Sequence, residues 1–404
     1  MGERDMVTAL PDAPGRDLTL AMIADEAGFA ALQPEWDALA TQMRARGCLR
    51  HAWALAGWMH SMKPRGGRLC IITARDSGAL VGLWPLARFQ HRFHRELRPL
   101  GWDAWDVVDL LVAPGPAQAI IVDALWTAAC RQGQVLYVPY VQTGSLLADC
   151  IDARAVWTAR DPFRTYVADF QGHADFASYG RSITRSGSKD GPRRRRLGKL
   201  GALQFRHETD PARRLAVLRW ALAQKLAWAQ RRGVRSEAIT DQRFTAFLES
   251  LAAGSPEQSP LRVFSLCLDD QVIAADIATL GGSVLDSHII AFDHDWARHS
   301  PGSLLQGDVL RWAQERGLAF DFGVTEDAYK AEWCNSRVVM TRHVAALTPG
   351  GLAAVAWHWR LLCYRRLRSR YRRALGWVVS RLIKPRAVSL VKRLRVRAGV
   401  TYQQ

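Results

Sequence analysis

The sequence predicts an α/β (α+β) protein: two tandem units, each with a mixed β-sheet flanked by helices, followed by a basic helical C-terminal tail. Three observations predict it. The order hairpin, Pro-Gly, helix, short strand occurs twice along the 404 residues. Hydrophobic residues make up 49% of the chain, enough for a sizeable core. The net charge of +17 sits almost wholly at the end: no Asp or Glu follows Glu332, and sixteen Arg and Lys lie from Trp333 to Gln404. Residues 1–332 then hold 39 basic against 38 acidic residues, so the basic character describes the tail and not the body. The expected divisions are a loose leader over 1–16, an N-terminal unit over 17–170, a C-terminal unit over 171–348 and the tail over 349–404.

In the first unit, "EAGFAALQPEWDALATQM" predicts one amphipathic helix with Phe29, Leu32, Trp36 and Leu39 on its buried side. "AWALAGWMHSM" predicts a second helix. "RLCIITARDSGALVGLWPLARF" reads as strand, Asp-Ser-Gly turn, strand. "PLRVFSLCLDDQVIAADIATL" repeats that unit, with Asp76 and Asp269 each opening a tight turn. "APGPAQAIIVDALWTAACRQGQVLYV" resembles "SPGSLLQGDVLRWAQERGLAFDF", each a Pro-Gly, a helix with one Trp, a Gly stop and an apolar strand.

Between the halves, Arg193 to Arg196 form the densest charge before the tail, either a solvated helix start or a clamp for phosphates or an acidic substrate. The helix that follows places Leu215, Leu218, Leu222 and Leu226 along its buried side. In the tail, Leu361, Tyr364, Leu367, Tyr371, Leu375, Val378 and Leu382 recur every three or four residues, with Arg on the other faces. Together with Trp357, Trp359 and Trp377, that pattern suits an anionic inner-membrane surface over 357–397, with a helix packed on its own body as the alternative and nucleic acid disfavoured.

Other classes are excluded. The seven scattered cysteines contain no C-x-x-C pair, which fits a reducing cytoplasm rather than a disulfide framework or a zinc site. The N-terminus lacks a secretory signal's apolar core, and no apolar run reaches membrane-spanning length. The protein is therefore expected to be cytoplasmic, with peripheral attachment through the tail. Walker loop, G-x-S-x-G elbow and H-E-x-x-H are all missing.

The stretch "SPGSLLQGDVLRWAQERG" predicts a helix over 301–316 with Ser300 as its cap, Pro301 in its first turn and Gly317 at its stop. Its mouth can hold a phosphate through backbone N–H groups and hydroxyls, and Ser300, Gly302 and Ser303 are the candidates. Asp321 ends the buried strand "LAFDFG" and can take a proton from an acceptor or cap the loop after Gly323. Tyr329 can protonate a leaving thiolate or pack. His288 and Asp276, on strands leading to the mouth, are a candidate base and a candidate substrate contact, and Asp286 is comparable. Lys330 and Arg194 can meet phosphates or a sugar acid.

"HIIAFDHDWARHSPGSLLQGDVLRWAQERGLAFDFGVTEDAYKAEW" resembles the C-terminal half of the CelD-like acyltransferases, a branch of the GNAT superfamily known from cellulose and exopolysaccharide gene sets. The matching features are Ser300-Pro301-Gly302, Asp321-Phe322-Gly323, Tyr329-Lys330 and Trp333, with softer matches in "SITRSGSKDGPRRRRLGKLG", "KLAWAQRRG" and "LRPLGWDAWDVVDLLVAP". The resemblance covers about residues 25–345 and leaves out the tail. It implies two tandem GNAT-like domains related to the Fem-type peptidoglycan transferases, the second carrying the activity. It implies transfer of an acetyl or other acyl group from acyl-CoA, without a metal, to an amine or hydroxyl of a sugar, sugar-nucleotide or lipid-linked precursor. Fem-type relatives use aminoacyl-tRNA as donor instead, which leaves an aminoacyl transfer to a cell-wall precursor as the alternative. A third expectation is a non-catalytic module binding membrane or nucleic acid through the tail. The sequence departs from the usual GNAT phosphate loop: Arg298-His299-Ser300-Pro301-Gly302-Ser303 has one Gly, and Pro301 has no N–H to donate.

Overall fold

The computed structural model describes residues 8–9, 18–102, 107–183, 190–233, 240–323, 328–361, 363 and 364. Most of the expected leader and of the tail's amphipathic repeat lies outside these residues. Residues 1–352 form one compact unit and 353–404 a second.

The first half runs β1 (Thr8–Ala9), β2 (Leu18–Ile23), α1 (Glu26–Ala31), α2 (Gln33–Gln42), α3 (His51–Gly57), β3 (Arg68–Asp76), β4 (Ala79–Gln90), β5 (Arg95–Pro99), β6 (Leu111–Val112), α4 (Gln118–Gln132), β7 (Val135–Gln142), α5 (Leu146–Arg154) and β8 (Trp157–Ala168). The second half runs α6 (Phe176–Ser182), α7 (Asp190–Gly198), β9 (Leu203–Glu208), α8 (Pro211–Arg232), α9 (Gln242–Ala253), β10 (Leu261–Leu268), β11 (Gln271–Gly281), β12 (Val284–Phe292), α10 (Pro301–Gln314), β13 (Ala319–Asp321), α11 (Ala328–Trp333) and β14 (Ser336–Ala346).

All these strands join one sheet, ordered β1-β2-β3-β4-β5-β7-β14-β8-β13-β12-β11-β10-β9, with β6 on β4. The order reads alike from both ends. Each half supplies an antiparallel run that ends in a parallel pair, β5 with β7 and β12 with β13. Each parallel pair needs a crossover helix, α4 in the first half and α10 in the second, and these are the two Pro-Gly helices of the sequence repeat. The last strands are exchanged. β14 of the second half lies on β7 of the first, and β8 of the first lies on β13 of the second. β8 and β14 pair with each other from Ser336↔Val167 to Ala346↔Trp157, so the centre of the sheet belongs to both halves.

Four apolar clusters hold the helices on the sheet. α4 packs on β3, β4 and β7 through Ile121 and Leu125. α10 packs on β10 to β12 through Leu304, Leu305 and Val309, while α8 and α9 cover the other face of those strands through Leu218, Phe244 and Phe247. α1, α2 and α3 cover β3 and β4.

Two local differences from the sequence reading have simple causes. The expected single helix over Glu26–Met43 breaks between α1 and α2. Pro34 has no N–H and disfavours helical backbone before it, so it starts α2 rather than continuing α1. Phe29, Leu32, Trp36 and Leu39 are nevertheless all buried. On α8, Leu218 and Leu222 are buried as expected, but Val217 and Ala221 complete the core while Leu215 and Leu226 are half-buried.

The exchanged strands predict mutual dependence. Residues 18–170 and 171–352, each expressed alone, should show no cooperative unfolding transition by circular dichroism, since each exposes strand edges that the other covers. A cooperative transition in either fragment alone would contradict the shared sheet.

Candidate functional site

The site begins where β13 stops. β12 and β13 pair in parallel over three residues only, the last pair being Asp286 with Asp321. β13 then turns away through Gly323, whose φ is +73° and where a Cβ would sit 2.8 Å from the Ser287 carbonyl, so this turn requires Gly. β12 runs on to Phe292 and β8 passes on the other side. The gap left between them is a chamber of about 60 Å³, lined by Asp286, Ser287 and His288 of β12, Thr165 of β8, Cys48, and Phe322 to Gly323 with Lys330.

The end of β13 is fixed by Arg46. Its Nη1 donates to Asp286 Oδ1, and to Asp321 Oδ2 at 3.0 Å, while Nη2 reaches Gln142 Oε1 at 3.4 Å. Arg46 comes from the first half and both carboxylates from the second. It gets there because the 44–47 segment lies directly on the β11–β12 hairpin: a Cβ on Gly47 would sit 2.9 Å from Thr279 Cβ, and one on Gly282 would sit 1.9 Å from the Arg44 carbonyl oxygen. Only glycines allow that approach. Burial alone would lower the Arg46 pKa, but the charges of Asp286 and Asp321 outweigh it and raise the pKa. Burial raises Asp286 to about 6, with Arg46 opposing the shift and Asp321 adding to it.

The sequence-predicted residues fall into three groups. Asp321, His288 and Lys330 come together at the chamber. Asp321 is fully engaged, with Oδ1 accepting from the Gly323 N–H at 2.9 Å and Oδ2 from Arg46. That is the loop-capping role the sequence offered beside the catalytic one. His288 bonds Thr279 Oγ1 through Nε2 at 2.9 Å and stacks on Trp53, and burial pushes its pKa down to about 4. Lys330 is buried and donates to the Phe322 carbonyl at 2.5 Å. Asp276 lies just behind, fully buried on β11, with Oδ1 accepting from Ser287 Oγ at 2.8 Å. Burial raises its pKa to about 7, against the Ser287 hydrogen bond and the charges of Lys330 and Lys225.

The second group lines a separate groove of about 460 Å³ beside the last residues of β12. Ser300, Gly302, Ser303 and Tyr329 face it, together with Ile290 to Phe292, and Lys225, Trp228, Arg231 and Arg232 of α8. Ser300 is not the side-chain cap the sequence suggested. Its backbone is left-handed (φ 52°, ψ 52°) and its side chain makes no cap hydrogen bond. Its carbonyl instead accepts from the Ser303 and Leu304 N–H groups at 3.1 and 3.2 Å. Gln306, 2% exposed, also lines the groove, and its Nε2 has no partner among the described residues.

Arg194 stands apart. Its Nη2 donates to Asp308 Oδ1 at 2.5 Å, tying α7 to α10, and it lines neither cavity. The sequence reading missed Arg46, Thr165 and the α8 cations. Their signals were weak: the close glycines at 47, 281 and 282 for Arg46, and the "QRR" end of α8 for its arginines.

Residues 191–331 match the family model described as an acetyltransferase (GNAT) domain. The second half of the chain thus carries a GNAT acetyltransferase domain, the first half repeats its topology, and the protein is an acyltransferase-type enzyme. GNAT domains generally use acyl-CoA. Among solved structures, the crystal structure of FemX aligns with 76% of this chain and 95% of its own at a TM-score of 0.54 and 12% identity. A conserved protein of unknown function from Bacteroides thetaiotaomicron aligns with 80% of this chain and 99% of its own at 0.50 and 9% identity. At such identities the likeness is one of fold. Among curated proteins, none matches the sequence.

Removing Arg46 tests the bridge. Arg46→Ala leaves two buried carboxylates without their cation and should cost about 3 kcal/mol at pH 8 in urea unfolding. A carboxyl whose folded pKa is raised binds its proton more tightly in the native state, so the penalty grows as pH rises past about 6 and shrinks below it. The deficit at pH 5 should therefore be smaller than at pH 8. An equal deficit at both would contradict a charge origin.

Proposed function

We propose that the protein transfers an acyl group, most simply acetyl, from acyl-CoA to an amine or hydroxyl of a sugar or sugar-linked precursor of a surface polysaccharide, as the CelD-like resemblance implies. One observation carries the donor half of this reading. The parallel pair β12–β13 ends after three residues, and further along β12 the residues Ile290 to Phe292 line a groove that reaches the mouth of α10. A thioester laid in that groove places its phosphates by the Gly302 N–H and the Ser300 and Ser303 hydroxyls, and its acyl carbon toward the chamber. Lys225, Arg231 and Arg232 supply positive charge along the same groove, which suits a polyphosphate donor.

The chemistry needs no enzyme nucleophile. Donor and acceptor held side by side gain most of the rate by position, the acceptor must lose a proton, and the leaving thiolate must gain one. Tyr329 lines the groove and is 40% exposed, which suits a proton donor to the thiolate. The acceptor's sugar nature rests on the sequence resemblance alone.

Saturating acetyl-CoA at 100 times its dissociation constant should stabilise the protein by about 2.7 kcal/mol, read as a rise in thermal midpoint. Gly302→Asp should abolish that rise, because it adds a negative charge at the mouth and a Cβ 3.2 Å from Phe292 Cδ1. No rise with acetyl-CoA, longer acyl-CoAs or free CoA would move the donor to aminoacyl-tRNA.

The tail is a second part of the proposal. Residues 352–361 are helical, and Trp357, Trp359, Leu361 and Tyr364 are exposed. Among the described residues no helix is long and apolar enough to cross a membrane. Basic residues beside exposed aromatics favour peripheral binding to anionic lipid. The full chain should co-sediment with vesicles containing phosphatidylglycerol at low salt, and residues 1–352 should not. Equal sedimentation of the two would remove the tail from membrane binding.

A further inference from the structure

The β4–β5 hairpin carries a cluster of side chains that the transfer chemistry does not use. The two strands pair with Phe89 opposite Glu96 and Gln90 opposite Arg95, so the next pair at the tip is His91 with His94. The His91 N–H donates to the His94 carbonyl at 2.9 Å and closes the turn. Side chains of a cross-strand pair share a face, and so do residues two apart on one strand. His91, His94 and Glu96 therefore project from one side of the hairpin. Each offers a ring nitrogen or a carboxylate oxygen, and these donor atoms all lie within 4.8 Å of one another. Among the described residues this is the only group of three His, Cys, Asp or Glu side chains that converges so closely.

We propose that His91, His94 and Glu96 bind a first-row divalent cation, zinc foremost, which clips the tip of the β4–β5 hairpin. Two imidazoles and a carboxylate make a donor set that suits such ions, and three protein ligands leave a fourth position to water. A tetrahedral zinc ion with bonds of about 2.1 Å holds its ligand atoms about 3.4 Å apart. His91 Nε2 and Glu96 Oε2 already lie 3.7 Å apart, too far for a hydrogen bond and close to that spacing. The two imidazoles have ring centroids 4.7 Å apart, so rotation about their side-chain bonds brings a nitrogen of each to one ion.

Glu96 is held as a metal-binding carboxylate needs to be. It is 5% exposed, and Arg98 Nε donates to its Oε1. Arg98 is itself held against the rings of Phe89 and Tyr137, 5.4 and 4.7 Å from their centroids. One carboxylate oxygen is thus fixed while the other is turned toward His91, and such outer partners are what orient the ligands of a metal. The side chain of His91 is 42% exposed, which gives an ion a way in from solvent. Arg92, Arg95 and Arg98 belong to the same hairpin and repel a dication, which limits the affinity. The plainer alternative, an ion pair of protonated His91 with Glu96, involves neither His94 nor a metal.

The position gives the ion a structural task. His91, His94 and Glu96 line neither the chamber nor the groove. β5 joins β7 through only two residue pairs, Glu96 with Val135 and Leu97 with Leu136. Next to them the Arg95 carbonyl accepts from the Gln134 N–H at 2.9 Å, and the Arg95 N–H donates to Gln134 Oε1 at 2.7 Å. The tip beyond is poorly covered, with Phe93 85% exposed. A cation shared by the two sides of the turn closes that tip and fixes Glu96 where β5 meets β7. Because the three donors converge only in the folded hairpin, binding favours the native state.

The test uses the full chain without a histidine tag, stripped of metal with a chelator, kept reduced and titrated with zinc chloride in a calorimeter. One ion per chain should bind with a Kd of about 1 μM or tighter, weaker than a four-ligand structural site. His91→Phe and His94→Phe keep a ring at each place. Each should weaken binding by at least about tenfold and leave the thermal midpoint of the metal-free chain unchanged. Zinc should also slow tryptic cleavage between Arg92 and Phe93 in the wild type and not in His91→Phe. A wild type that takes up no zinc at that strength, or equal uptake in both variants, would overturn the site, the second result placing the ion elsewhere, as on cysteines. Weaker binding in His91→Phe with no change in His94→Phe would reduce the cluster to the His91–Glu96 pair and overturn it as well. The cleavage assay on the wild type needs neither variant to fold, and equal rates with and without zinc would overturn the clip.

Discussion

The guanidinium of Arg46 holds the structure's active region together. It bridges Asp286 and Asp321, the last paired residues of β12 and β13, and so fixes the point at which those strands part. Two carboxylates side by side in a buried sheet repel each other and resist desolvation, and the Arg46 cation offsets both at the end of β13. Once that end is fixed, the rest follows. The chain turns out through Gly323, Lys330 anchors the turn, and the gap left behind becomes the chamber, with the groove beside the next residues of β12.

The same interaction makes the two halves one molecule. Arg46 belongs to the first and its partners to the second, just as β8 and β14 each complete the other half's parallel pair. A duplicated unit could have kept two equal sites. Beside the end of β5 in the first half lies a cavity of about 10 Å³ lined by Trp36, Trp84 and Leu100 among others. The groove is lined by residues of the second half, from Gln224 to Trp333.

Much of this was legible in the sequence, and what was not has physical reasons. The hairpin turns at Asp76 and Asp269, the two Pro-Gly crossover helices and the parallel strands after them follow from local turn and helix chemistry. Asp321 and Lys330 stood out beside one short strand and its loop and His288 on the strand leading to the α10 mouth, and all three line the chamber. The strand exchange was hidden, because β14 pairs with β7 and β8 about 170–210 positions away and no local signal sets that register. Arg46 was hidden among many arginines, since its meaning depends on three glycines that bring distant backbone together. Arg194 stood out by local charge density but serves to hold α7 on α10. At Ser300 a residue type usual for caps was read as a cap, whereas its left-handed backbone turns the carbonyl, and not the hydroxyl, to the helix.

The central claim is that the reaction takes place at the end of β13, between groups from both halves. A crystal structure of the full chain with acetyl-CoA tests it most directly. The account places the phosphates at Ser300–Ser303 and the thioester carbonyl beside His288–Ile290, facing the chamber. Acetyl-CoA bound in the first half, or lying at the α10 mouth with its thioester directed away from the end of β13, would contradict it.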